Sequence, residues 1–264
     1  QHRLQADVPV GCYLSGGIDS CSILGLSAAA RQDPVKAFTI GFDSEAYDET
    51  PIAREMAEMT EADQLVLTLS ADDLYKNFSR TIWHTERTIY NTLAVAKLLM
   101  SETVQKNNYK VVLTGEGSDE LFAGYPAFRK DMFLYGLDAL PASLRNEWQS
   151  SLEESNSLFR GAMLPREDFT SAAMSEVVGF TPTCLQNWLH CDSFAMNLLN
   201  PQWRDDLKNY DAGAAIAQTF DRDQLDGRHP LDKAQYVWIK TMLEGQILTW
   251  GGDRVDMANS MEAR

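Results

Sequence analysis

The run Val10-Gly-Cys-Tyr-Leu-Ser-Gly-Gly-Ile-Asp-Ser20 sets two hydroxyls, two adjacent glycines and an acid at the end of an apolar stretch. That grouping suits a pyrophosphate and its magnesium ion. Gly16 and Gly17 have no side chains to block close approach, so backbone N–H groups can face an anion there. The start of a following helix adds positive dipole character. Ser15 and Ser20 are candidates to hydrogen-bond phosphate oxygens, and Asp19 to hold Mg2+ beside them. The common phosphate loop needs a lysine after its glycines, and none follows here, which argues against a kinase-like or GTPase-like loop. A strand-to-helix turn capped by serines is the plain structural alternative.

A second block, Val111-Val-Leu-Thr-Gly-Glu-Gly-Ser-Asp-Glu-Leu-Phe-Ala-Gly-Tyr125, repeats the pattern of apolar strand, glycine turn and acidic helix start. Glu116, Asp119 and Glu120 crowd together, and such carboxylates repel unless a cation or donors compensate. Helix capping accounts for Ser118 and one acid, not for all three.

At these two blocks the sequence resembles the synthetase domain of the asparagine synthetase family. That family's signatures are a Ser-Gly-Gly-x-Asp-Ser pyrophosphate loop and a later Gly-Glu-Gly-Ser-Asp-Glu segment. A third stretch, Asp253-Arg-Val-Asp-Met-Ala-Asn-Ser-Met-Glu-Ala-Arg264, is similar to the family's Asp-Arg-x-x-Met-Ala-x-Ser-x-Glu-x-Arg segment. The resemblance runs from near residue 8 to the last residue. It implies ATP and Mg2+ as cofactors and an AMP-forming amide synthesis: a carboxylate is adenylated with loss of pyrophosphate, and ammonia then displaces AMP. It also implies roles. Asp19 and Asp119 would hold magnesium, and Ser15, Gly16, Gly17 and Ser20 would cradle the pyrophosphate. Leu14, Ile40, Thr114 and Gly115 would contact the adenosine part, largely through backbone. Glu116 would be the catalytic carboxylate, its alternative being an acid that merely stabilises a helix start. Glu262 and Arg264 would approach the same cleft, or else form a buried structural ion pair.

The acceptor acid is less specified. Aspartate-specific members carry a Thr-Thr-x-Arg-like element where this chain reads Thr85-Glu-Arg-Thr-Ile-Tyr-Asn-Thr-Leu-Ala94. Arg87 could supply a cation for a second carboxylate, or could pair with Glu86 on the surface. Aspartate is the first expectation. Relatives that amidate sugar acids, close β-lactam rings or cyclise peptides, and a nucleotide-binding module without turnover, are the alternatives. No glutaminase half with an N-terminal cysteine is present, so a glutaminase domain or subunit, or free ammonia, is expected as the nitrogen source. The family's adenylation lysine would lie beyond Arg264. The chain therefore reads as a fragment, and a homodimer stays open.

The elements that must position these residues alternate. The pattern predicts strands over Val8–Leu14, Val35–Phe42, Gln64–Leu69 and Lys110–Thr114, with helices over Ser20–Ala30, from Asp48-Glu-Thr-Pro51 onward, and over Ala71–Trp83 and Thr92–Lys106. This rhythm predicts an α/β fold: a doubly wound, mostly parallel sheet, of the PP-loop type (adenine nucleotide alpha hydrolase-like) that the resemblance implies. After about Tyr125 strand-like runs thin out, which predicts one domain with an α/β core over 1–128 and a mainly helical part over 129–264. Tyr236–Thr249 is its clearest helix, Trp148 belongs to its polar helical segments, and Ser150–Ser157 reads as a solvated connection.

Composition sets the remaining bounds. Lys+Arg 23 against Asp+Glu 38 gives a net charge of −15, which argues against nucleic acid as the main partner. No apolar run approaches a membrane span, and the first residues lack a signal core. Cys12, Cys21, Cys184 and Cys191 are sparse and read as free thiols of a cytoplasmic protein. The spacing of Cys184, His190 and Cys191 lacks the paired short loops of zinc sites.

Overall fold

The computed structural model describes residues 2–44, 48–136, 141, 143, 144, 146, 147, 150, 164, 165 and 167–264. Trp148 and the expected connection after Ser150 fall outside the described residues. The chain forms two compact units, residues 1–116 with 244–264 and residues 117–243.

The first unit holds one sheet. Its strands are β1 (Val10–Tyr13), β2 (Lys36–Phe42), β3 (Asp63–Leu69), β4 (Val111–Leu113) and β5 (Glu262–Ala263), in the order β3-β2-β1-β4-β5 with every pair parallel. The helices between them are α1 (Ile18–Ala29), α2 (Thr50–Met59), α3 (Ala71–Thr85) and α4 (Leu93–Lys106). Alternate strand residues go to opposite faces. Val10, Cys12, Val111 and Leu113 pack with Leu24 of α1 and Ala53 and Ala57 of α2. Phe38 and Val112 pack with Met100 and Val104 of α4. With both faces covered, the central strands read as unbroken apolar runs, and the expected doubly wound parallel sheet is the observed one.

Local chemistry explains the helix starts. Asp48 accepts the Thr50 N–H at 3.1 Å and Pro51 follows in the first turn of α2. Ser70 and Asp73 form a reciprocal capping box for α3. The end of the chain holds a feature that no apolar run announces: Glu262 and Ala263 pair beside Val111 and Val112 as the edge strand β5.

The second unit is helical: α5 (Ser118–Phe122), α6 (Pro126–Tyr135), α7 (Ala172–Val178), α8 (Thr183–Leu198), α9 (Pro201–Leu207), α10 (Ala212–Ala217), α11 (Arg222–Leu225) and α12 (Pro230–Trp238). The expected helix over 236–249 is present as α12 followed by π-helical turns at Ile239–Ile247. Phe128, Met174, Leu225, Val237 and Trp238 form the core, and Tyr125 stacks on Trp238 with ring centroids 4.6 Å apart. Among the described residues no group of three or more His, Cys, Asp or Glu gathers to hold a metal, and no helix is long and apolar enough to cross a membrane.

One buried acid there makes stability depend on pH. Asp131 of α6 is fully buried and accepts the Thr183 N–H on both oxygens at 3.1 Å and the Thr183 hydroxyl at 2.5 Å. Burial pushes its carboxyl up to about 7, against the pull of the Thr183 bonds and Lys130. The folded state therefore binds a proton that the unfolded chain has released. This stabilisation is complete below about pH 4 and is lost as pH rises through about 7, a span on the order of a few kcal/mol. Asp131→Asn should flatten the fall in melting temperature between pH 5 and 8. A fall as steep in the variant as in the parent would remove Asp131 as its cause.

Candidate active site

The loop after β1 is closed by its own hydroxyls. Ser20 Oγ accepts the Ser15 N–H at 3.0 Å and stands 2.9 Å from Ser15 Oγ, which accepts the Gly17 N–H at 3.1 Å. The Gly16 N–H already faces an anionic oxygen, Glu49 Oε2 at 3.1 Å. A Cβ on Gly16 would come within 3.1 Å of Glu49 Cβ and 3.2 Å of Ile52 Cβ, so a side chain would crowd this approach. Asp19 lies half-buried in the first turn of α1, where its charge meets the positive end of the helix. Leu14 is buried and ties the loop to β2 through its N–H to the Phe38 carbonyl at 2.8 Å, while Ile40 packs partly buried against the Phe38 cluster.

The second loop leaves β4, the neighbour of β1. Chain order runs outward from β1 through β2 to β3 on one side and through β4 to β5 on the other, so these two loops flank the switch point of the sheet. Crevices at such points are where open α/β sheets bind ligands. Gly115 permits the closest approach of the two loops: a Cβ there would stand 3.0 Å from Asp19 Cβ and 3.1 Å from the Ser20 backbone nitrogen. Thr114 Oγ1 accepts the Glu116 N–H at 3.2 Å, and the Glu116 carboxylate pairs with Lys97 of α4.

In the second unit the motif continues through Gly117, whose φ of 90° needs glycine, into α5. Asp119 stands in the first turn of α5, and Gly124 leaves it room, since a Cβ there would collide with Asp119 Oδ1. Glu120 is a buried structural acid that accepts the Tyr125 hydroxyl at 3.0 Å.

The closing segment is stitched to α4. α13 (Arg254–Met257) presents Val255 to Ser101, whose hydroxyl donates to the Val255 carbonyl at 2.9 Å; Asn259 Nδ2 donates to Ser101 Oγ at 2.7 Å. Asp256 is 3% exposed and accepts the Tyr13 hydroxyl at 3.0 Å. Burial pushes its carboxyl up to about 6; the Tyr13 bond and Lys97 pull it down, while Asp253 and Glu116 add to the rise. The Tyr13 hydroxyl is raised by burial and by Asp256.

Three expected residues have other partners. Arg264 pairs with Glu262 at 2.7 Å and donates to the Arg3 and Gln5 carbonyls, and Glu262 sits beside Val111, the first residue of β4. This is the ion-pair alternative, but with Glu262 exposed and not buried, and the Arg264 backbone stands beside the second glycine loop, its carbonyl accepting the Thr114 N–H at 3.0 Å. Arg87 donates to the Gly245 carbonyl at 2.9 Å, and Glu86 pairs with Arg254 rather than with Arg87. Lys97, Tyr13 and Asp256 escaped the sequence reading. The one available signal was a lysine sharing the α4 stripe of Met100 and Val104, where an apolar residue is expected.

The asparagine synthase family matches residues 1–264, the whole chain. The chain belongs to the asparagine synthase family. Amidase chyE of Penicillium rubens is 33% identical over 99% of this chain and 41% of its own length. A putative glutamine-hydrolysing asparagine synthetase of Mycobacterium tuberculosis is 30% identical over 99% of this chain and 38% of its own length. This asparagine synthase segment thus spans about two fifths of the length of the curated relatives it matches. An NH3-dependent NAD synthetase from Campylobacter jejuni aligns with 83% of this chain and 92% of its own at 16% identity and a TM-score of 0.35, too distant a likeness to bear on function.

Proposed function

We propose that residues 1–264 form the adenylating part of an ATP-dependent, AMP-forming amide ligase that activates a carboxylate, aspartate first, and joins ammonia to it. The observation that carries this reading is the exit of two glycine loops from adjacent central strands at the switch point of the sheet.

The residues present fit Mg-ATP. The loop N–H of Gly16 faces an anionic oxygen, a Cβ would crowd Gly16 and Gly115, and the hydroxyls of Ser15 and Ser20 stand together. Magnesium needs only one or two carboxylates alongside phosphate oxygens. Asp19 would hold the ion, with Asp119 as the second carboxylate that the motif implies. When bound, the ion neutralises charge on the departing pyrophosphate. Ser15, Gly16, Gly17 and Ser20 orient the phosphates; backbone at Leu14, Ile40, Thr114 and Gly115 lines the nucleoside. Glu116 takes the proton that an attacking amine must lose. A glutaminase domain or subunit supplies the ammonia, and the four free cysteines suit a cytoplasmic setting.

A second reading keeps the chemistry and changes the acid. Arg87, the expected cation for a second carboxylate, is bonded to the Gly245 carbonyl, and a 33% identical relative is named an amidase. The test is AMP formation by the full-length protein from Mg-ATP and ammonium with a panel of acids. AMP with aspartate alone supports the first reading, and AMP with another acid replaces the substrate. No AMP with any acid, despite ATP binding, would overturn the ligase.

A further inference from the structure

Lys97, Tyr13 and Asp256 lie outside the fixed letters of all three motifs, yet they meet beside Glu116. Lys97 shares its helix face with Met100 and Val104, which pack on the sheet through Phe38 and Val112. A residue at that position needs only to be apolar to pack. Instead the side chain ends in an ammonium that is 16% exposed and paired with a Glu116 carboxylate that is 34% exposed. Removing a charge this far from water is costly unless it is matched, and Glu116 matches it. Behind the pair, Asp256 accepts the Tyr13 hydroxyl at 3.0 Å, and the charge of Lys97 acts on Asp256. Glu116 after β4 thus pairs with the ammonium, Asp256 from the closing segment feels the charges of Lys97, Asp253 and Glu116, and Tyr13 at the end of β1 is bonded to Asp256.

We propose that Lys97 is a positioning residue for Glu116: it holds Oε1 and leaves Oε2 for the attacking amine, with the Asp256–Tyr13 pair completing the charge balance behind it. The assignment rests on the reading of Glu116 as the catalytic carboxylate. Here one carboxylate oxygen is bonded, and the partner is an acid that precedes the helix start and is not buried.

Full-length Lys97→Met should lose about 30-fold or more in kcat for AMP formation, with the KM for ATP changed less than about threefold. Lys97→Arg should recover most of that loss. Lys97→Met added to Glu116→Gln should cost less than about twofold further, because the two residues act as a unit. A readout free of turnover is the 13C carboxyl resonance of Asp256. Its midpoint should stand at about 6 in the parent and move up in Lys97→Met, or in Lys97→Gln if the methionine variant fails to fold. An unmoved midpoint would show that the cluster does not form. A moved midpoint with unchanged kcat, losses that multiply across the double variant, or a matching rise in the KM for ATP would overturn the positioning role. If no acid supports turnover, the ligase reading falls, and the carboxyl titration still decides whether Lys97 governs this cluster.

Discussion

Asp19→Asn is expected to lower AMP formation by about 1,000-fold or more, while the melting temperature moves by no more than about 3 °C. The two magnitudes separate a metal ligand from a helix-stabilising acid. A carboxylate in the first turn of a helix contributes about 0.3–1 kcal/mol through the helix dipole, and that is the most a structural Asp19 would forfeit. A thousandfold in rate corresponds to about 4 kcal/mol. Among the described residues no cation pairs with Asp19, so its charge is not committed elsewhere in the fold. Asn keeps the shape and removes the charge that magnesium requires. Asp119→Asn should show the same loss. Gly115→Ala gives a graded companion test: its methyl would press on Asp19 Cβ at 3.0 Å and on the Ser20 nitrogen at 3.1 Å, groups set close to the backbone that cannot swing away. Displacing Asp19 without deleting it should cost roughly 10- to 100-fold. Turnover of Asp19→Asn within tenfold of the parent would exclude a metal role.

The contrast between Asp19 and Lys97 shows what was legible before the structure. Asp19 sits in a loop whose every letter is unusual: two glycines, two serines and an acid after an apolar strand, a local pattern with few structural uses. Strands β1 to β4 were equally local, because each is a short apolar run between helix signals, and the observed bounds differ from the expected ones by no more than two residues at either end. Partnerships made over long sequence separation were not legible. Glu262 and Ala263 form a strand only because Val111 and Val112 offer an open edge, and nothing in their own types favours it. Lys97 and Glu116 are 19 residues apart, and Tyr13 and Asp256 are 243 apart. Each of these looks ordinary alone, and the chemistry exists only where the sheet brings them together. Arg87 shows the converse: its type suited a carboxylate, and a carbonyl 158 residues away accepts one of its donors.

Glu116→Gln should lower amide formation by about 1,000-fold, with ATP binding unchanged within about threefold. The competing role, an acid supporting the start of α5, is already filled, because Asp119 and Glu120 occupy the first turn and Glu116 precedes the Gly117 cap. What Glu116 has instead is a bonded lysine and a partly exposed side chain at the switch point of the sheet. Glutamine can occupy the same volume and still accept from Lys97, so orientation is largely kept. It cannot take up a proton. An amine that has added to an activated acyl carbon carries a proton it must lose before the amide is stable, and water in a closed site is a poor acceptor. The loss should therefore fall on transfer, not on nucleotide binding. The structural penalty is bounded by geometry: with Glu116 neutral, the mostly buried Lys97 keeps Asp256 as its counter-charge, so the melting temperature should drop by only a few degrees. A variant that unfolds well below the parent would mean that the ion pair is structural. One that still forms amide within tenfold of the parent would mean that another group accepts the proton.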